Sequence, residues 1–423
     1  MTLTEKRSRL DRMVRTCRMI QRMSRVRPDT YKSEVYYYEL MATYYDRLRK
    51  AEEEGKFIAA HTVFFPVEIL YAMDIVPMHT EASTIAMGLL LGEQPSLLSA
   101  AAELRLAPEI CSAHRALAGA FSLKFMPRPS VMLWSNLICD NTAKSGELLA
   151  ELSNNCPKFF LDHPFTGTPE EEKYLIEELK DLISFLEVQT GRKMNWDKLA
   201  ESVARMDHHI QLYREICELR KAVPSPFYSR GYLEILLADY WYAGQPEATS
   251  YLELLRDELA GMVRAGKGAV EPERFRLMSL FVPPINLTGL LEEVFKKHGA
   301  VSVVEPFFTF WREGRLDPSK PLESIARKLY MIPERRTMYG PLGDGTIREI
   351  VELAREYKVD GAIYYAYMGC RHTCATIKVF KDVLSEIDVP VLTLDNDLID
   401  PTLNNENEIQ QKLEQFFELL EDR

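Results

Sequence analysis

The sequence predicts an α/β protein: two parallel-sheet domains with an N-terminal helical segment and a helical middle segment. Three observations carry this. Short β-branched or aromatic runs, such as Ser130–Ser135 and Lys158–Leu161, alternate with helical stretches, as strands do with their crossover helices. The alternation occurs twice, on either side of a region that reads as helix. A chain of 423 residues also exceeds what one core ordinarily organises. The expected divisions are 1–54, 55–165, 166–269 and 270–423.

Residues 1–54 read as two helices, the first rich in Arg from Lys6 to Arg27 and the second led by Tyr36, Tyr37 and Tyr38. A basic amphipathic start also suits a mitochondrial transit peptide, but Glu5 and Asp11 favour a surface helix packed on the body or on a partner. In the first domain Phe57–Ala60, Ile75–His79, Ser130–Ser135 and Lys158–Leu161 read as strands. Pro66–Met73 reads as a helix opened by proline, and Asp140 caps another that runs to Leu152. In the middle, Thr168-Pro169-Glu170-Glu171 is a capping box with proline at the first helical position. Helices follow from Trp196 to Ala222 and from Arg230 to Gly266, with Gly244 in a connecting loop. In the second domain Phe275–Val282, Val301–Val304, Gly361–Tyr365 and Val389–Leu394 read as strands. Helices are expected at Leu287–Lys297, Thr346–Tyr357, Thr373–Ile387 and Asn405–Glu421.

A net charge of −11 argues against a nucleic-acid partner, which needs a basic face. No apolar run approaches the roughly 20 residues that span a bilayer, and the N-terminus lacks a secretory apolar core. The expected location is the cytoplasm. Seven cysteines, an odd number, do not suggest a disulfide framework. Cys17, Cys156 and Cys217 read as ordinary thiols.

Cys139 and Cys370 each follow a predicted strand and precede a helix, and Cys111 opens the helix through Leu117 and Phe121. Ligands of open parallel sheets bind at such strand ends, and helix N-termini favour thiolate. A soft metal or cluster suits thiolates presented this way. Chance placement and a zinc site are the competing readings. Cys111-Ser112-Ala113-His114 and Cys370-Arg371-His372-Thr373-Cys374 hold Cys and His at short spacing, yet the paired CxxC of compact zinc sites is missing.

Several motifs resemble the family of 2-hydroxyacyl-CoA dehydratases and benzoyl-CoA reductases. They are Gly55-Lys56-Phe57-Ile58-Ala59, Pro66-Val67-Glu68 through Val76-Pro77, Cys111 through Arg115, Cys139-Asp140, and Phe160 through Pro164. The C-terminal set is Val359 through Tyr364, Gly369-Cys370-Arg371, Val389 through Asp397, and Phe416-Phe417-Glu418. The likeness covers nearly all of the chain beyond residue 55.

The resemblance implies two Rossmann-like domains with an oxygen-sensitive [4Fe–4S] cluster between them, held by Cys111, Cys139 and Cys370. It implies a homologous second subunit or a homodimer, and a separate ATP-dependent iron–sulfur activator that supplies one low-potential electron. The substrate would be an acyl-CoA thioester, converted through a ketyl radical in anaerobic metabolism. Dehydration of a (R)-2-hydroxyacyl-CoA leads. Aromatic-ring or small-molecule reduction, the latter on a larger [8Fe–9S] double cubane, is the alternative, as is a non-catalytic electron-relay subunit. Glu68 matches a catalytic glutamate of some members, although a carboxylate there also suits a helix N-terminus. His114 and His372, beside the ligands, are expected to hydrogen-bond cluster or CoA. Cys374 departs from the pattern: on a helix it would share a face with Cys370, as a further ligand or as a packed thiol.

Overall fold

A computed structural model of the chain describes residues 3–28, 30–307, 314–333 and 343–423. Met1 and Thr2, within the expected first helix, lie outside the described residues. The fold is α/β, with two four-stranded parallel sheets.

Helices α1 (Leu3–Val26) and α2 (Lys32–Glu53) pack on each other, and the Glu258 carboxylate accepts the N–H groups of Lys32 and Ser33 at the start of α2. The first half then runs β1 (Ile58–His61), α3 (Val67–Ala72), β2 (Val76–His79), α4 (Thr80–Leu91), α5 (Gln94–Glu103), α6 (Ser112–Ser122), β3 (Val131–Ser135), α7 (Asp140–Leu152) and β4 (Lys158–Leu161). The middle is α8 (Pro169–Thr190), α9 (Trp196–Arg220), α10 (Gly231–Tyr242) and α11 (Pro246–Ala265). The second half has β5 (Phe275–Leu280), α12 (Thr288–His298), β6 (Ala300–Val304), α13 (Pro321–Met331), α14 (Asp344–Glu356), β7 (Gly361–Tyr367), α15 (Arg371–Ser385), β8 (Val391–Asn396) and α16 (Glu406–Glu421).

The sheets are ordered β2-β1-β3-β4 and β6-β5-β7-β8, so the two halves repeat one Rossmann-like topology. In both, the chain leaves the first strand to one side and returns to pair on the other. That reversal opens a crevice at the carboxyl ends of the strands. Strands β1, β3, β5, β6 and β7 are buried along their whole length, as expected of parallel strands covered on both faces.

Local chemistry explains most boundaries. The capping box at α8 forms as written in the sequence, with Thr168 Oγ1 accepting the Glu171 N–H and Glu171 accepting the Thr168 N–H. Strand β8 starts at Val391, two residues later than expected, because Pro390 has no N–H to donate to β7. Helices α4, α5 and α13 were not anticipated. In α4, Thr-Glu-Ala-Ser-Thr-Ile-Ala-Met-Gly-Leu-Leu-Leu has no polar stripe, because most of its residues are buried whichever way they face.

Candidate metal-cluster site

The repeated topology places two cysteines alike. Cys139 follows β3 and is the N-cap of α7; Cys370 follows β7 and is the N-cap of α15. Strands β3 and β7 hold the same position in their sheets. Cys111 is the N-cap of α6, the helix that leads into β3. In an N-cap the side chain faces the free N–H groups of the first turn. No capping hydrogen bond is formed, but the N–H groups of Ala113 and His114 favour the Cys111 thiolate, those of Asn141 and Thr142 the Cys139 thiolate, and those of His372 and Thr373 the Cys370 thiolate.

All three thiols line one cavity of about 340 Å³ between the two halves. Its remaining walls are largely aliphatic, including Met41, Ile85, Leu89, Leu233 and Leu237. Burial pushes all three thiols up; for Cys111 the next causes are the neighbouring Cys139 and Cys370. The helix N–H groups pull the other way and do not win. Buried thiols that repel one another as thiolates ionise together only around a cationic centre. A soft, all-sulfur donor set of this kind fits an iron–sulfur cluster. Among the described residues no group of three or more His, Cys, Asp and Glu is placed to hold a metal ion.

The halves are fastened to each other around these cysteines. Gly369 passes so close to the Cys111 backbone that a Cβ on it would stand 2.5 Å from the Cys111 Cα. Arg115, four residues into α6, donates to Asp400 across 3.1 Å and to the Ile110 carbonyl, while Ser112 Oγ accepts the Ile399 N–H. Near Cys139, Arg371 pairs with Asp140 and His372 Nε2 lies 3.9 Å from the same carboxylate.

The His114 ring lines the cavity, with Nε2 3.7 Å from the Cys139 sulfur and Nδ1 3.1 Å from Ser145 Oγ. Burial lowers its pKa, which keeps the ring neutral. His372 is not among the cavity walls and faces Asp140. Cys374 is exposed, gives its S–H to the Tyr367 carbonyl at 3.2 Å, and stays out of the cavity. The same-face argument fails because Cys370 is the extended N-cap, with φ −117°, and not a helical residue.

Glu68 is also elsewhere. Helix α3 is only six residues long and packs on α9, so the carboxylate turns into the helical middle. There it is fully buried, paired with Lys328, with Gly244 against its Cγ. The cavity has a different carboxylate near the cysteines: Glu81, in the first turn of α4. Thr80 Oγ1 donates to its Oε2 at 2.8 Å and Thr142 Oγ1 to its Oε1 at 3.4 Å. The sequence held a signal for it, since Glu81 follows a strand end just as Cys139 and Cys370 do. A second carboxylate, Glu234, lies on a wall shared with Tyr38 and Arg230; burial raises it to about 8.

Residues 62–420 match the family model described as 2-hydroxyglutaryl-CoA dehydratase, D-component. The chain belongs to that family. It is 25% identical over 419 residues to one of the subunits of benzoyl-CoA reductase from Thauera aromatica, covering 91% of this chain and 94% of the other. It is 22% identical over 399 residues to the (R)-2-hydroxyisocaproyl-CoA dehydratase alpha subunit of Clostridioides difficile, covering 91% and 95%. The alpha subunit of (R)-2-hydroxyglutaryl-CoA dehydratase from Acidaminococcus fermentans is 22% identical over 305 residues, 70% of this chain and 61% of the other. Dehydratase and reductase subunits are thus both among the relatives that match over nine-tenths of this chain. Among the described residues no helix is long and apolar enough to cross a membrane.

Proposed function

We propose that this chain is the iron–sulfur subunit of an ATP-activated radical enzyme of the cytoplasm that dehydrates a (R)-2-hydroxyacyl-CoA. The observation that carries the proposal is the meeting of three helix-capping thiols, Cys111, Cys139 and Cys370, on one apolar cavity between the two sheets. These residues would hold a [4Fe–4S] cluster, which supplies single-electron chemistry at low potential. Three thiols supplying the site, with Cys374 outside it, support one cubane over the larger double cubane. A homologous partner subunit and a separate ATP-hydrolysing activator complete the proposed system.

The protein's own groups do the rest. The aliphatic walls exclude water and accept an acyl chain, so that a reactive radical is not quenched. Glu81 is placed to move a proton at the reacting carbons, held in position by two threonine hydroxyls. His114 hydrogen-bonds near the Cys139 sulfur, a contact that tunes potential and shields the thiolate. Glu68, paired with Lys328, takes a structural part in this reading.

Ring reduction is the second reading, supported by the 25% match to a benzoyl-CoA reductase chain over 91% of this one. The cavity's apolar walls suit a ring as well as a chain. Anaerobic turnover of (R)-2-hydroxyisocaproyl-CoA and of benzoyl-CoA separates the two by product. Within either, Glu81→Gln is expected to lower turnover at least about 100-fold with iron content unchanged. Unchanged turnover would make this chain the electron-relay subunit.

A further inference from the structure

The large cavity has a small neighbour. His61, His79, Asp239, Tyr240 and Lys328 line a chamber of about 20 Å³. Tyr240 and Phe64 form walls of both spaces, and the Tyr240 ring stacks on His79 at 4.7 Å. Behind the chamber, Glu68 of α3 pairs with Lys328 of α13.

His79 is fully buried and lines the chamber, beside Glu81, which lines the large cavity. Its Nδ1 accepts the Ala82 N–H at 3.1 Å, as the cap of α4, and lies 3.7 Å from Glu81 Oε2. With Nδ1 accepting, Nε2 carries the proton. That N–H has no acceptor among the described residues, and Asp239 Oδ1 and Glu68 Oε2 are likewise unmatched there. Buried polar groups are rarely left so, and a polar space of this size holds one water molecule. The donors His79 Nε2 and Lys328 Nζ and the acceptor Asp239 Oδ1 are the partners such a water needs.

We propose that the chamber is a water site, and that its water links Glu81 through His79 to Asp239, a proton store behind the large cavity. The inference rests on the role of Glu81 proposed above. In the transfer, the Glu81 carboxyl gives its proton to His79 Nδ1 as that nitrogen releases the Ala82 N–H. His79 Nε2 then gives its proton to the water, and the water gives one to Asp239 Oδ1. One proton moves and no electron does. The titratable or charged groups around the store are Glu68 on α3, His61 at β1, His79 at β2, Lys328 on α13, and His209 and Tyr213 on α9. Burial holds Asp239 up at about 6 and His61 down at about 4, so Asp239 is the member that changes charge near neutrality.

The test needs no substrate. In a crystal structure of the wild-type chain that resolves ordered water, density is expected in the chamber within hydrogen-bond reach of His79 and Asp239. His79→Asn keeps an oxygen where Nδ1 caps α4 but loses the Nε2 arm; His79→Gln keeps the arm and loses the cap. Infrared titration of the carboxyl band that disappears in Asp239→Asn is expected near pH 6 in wild type. The midpoint should move in His79→Asn and stay in His79→Gln. A dry chamber, or an Asp239 titration indifferent to His79→Asn, overturns the proposal. Iron per chain, read on every variant, tests the cluster assignment separately.

Discussion

The two α/β halves share a strand order and differ in how many thiols they deliver. Each sheet offers a cysteine after its third-placed strand, Cys139 after β3 and Cys370 after β7. The helix that leads into that strand is also present twice, as α6 and α14. Its N-cap is Cys111 in the first half and Gly343 in the second. The repeated element order therefore offers this helix twice, and only the first copy carries a thiol at its N-cap. Cys111, Cys139 and Cys370 would be the three thiolates that hold the proposed cluster.

That asymmetry can be broken most strongly at the thiols. Cys111→Ser, Cys139→Ser and Cys370→Ser should each lower iron from about four per chain to a small residue. Cys374→Ser should leave iron content unchanged, because its sulfur lies outside the cavity. Equal iron in all four variants would remove the distinction between the cavity thiols and the exposed one.

The fastening of the halves differs from side to side in the same way. Beside Cys111 the Arg115–Asp400 pair is buried, and removing one partner leaves the other charge uncompensated. Arg115→Ala should cost about 3–5 kcal/mol in denaturant unfolding. Asp400 is partly desolvated, yet hydrogen bonds from Thr402 and the Arg115 guanidinium hold its carboxyl below the usual range. A lowered carboxylate contributes stability above its unfolded pKa and loses it as pH falls through the folded value. The gap between wild type and Asp400→Asn should therefore persist into mild acid and close below the ordinary carboxylate range. A gap that closes at pH 5 would contradict the pairing.

Glycines give the next contrast. Gly369→Ala pushes a Cβ into the Cys111 backbone and should cost about 1–3 kcal/mol, with slower or incomplete cluster assembly. Gly343→Ala meets nothing within 4 Å among the described residues and sits at φ −136°, so it should be neutral or slightly stabilising. The smallest effect belongs to the exposed Asp140–Arg371 pair. Asp140→Ala should change stability by about 0–1 kcal/mol, less at high salt.

Much of this was legible because it is local. A capping box, a proline at a helix start, and a thiol between strand and helix are all written within a few neighbouring residues. The helix-end placement of Cys111, Cys139 and Cys370 could be read from such signals, while their assignment to one site came from the family resemblance. What failed needed distant partners or the exact start of a helix. Glu68 was expected near substrate, but a six-residue helix and a lysine 260 positions away take it into the middle segment. Glu81 escaped notice because α4, buried on most sides, shows no amphipathic period. Cys374 was judged by helical spacing, which does not apply when its reference residue is an extended N-cap. Arg115 and Asp400 are 285 positions apart, and no local pattern joins them.

The central claim is tested most directly by iron and acid-labile sulfide per chain after strictly anaerobic purification, with a visible spectrum before and after air. The account predicts about four irons and four sulfides, and a broad band bleached by oxygen. Zinc in their place, or no metal in protein that has never met air, would contradict it.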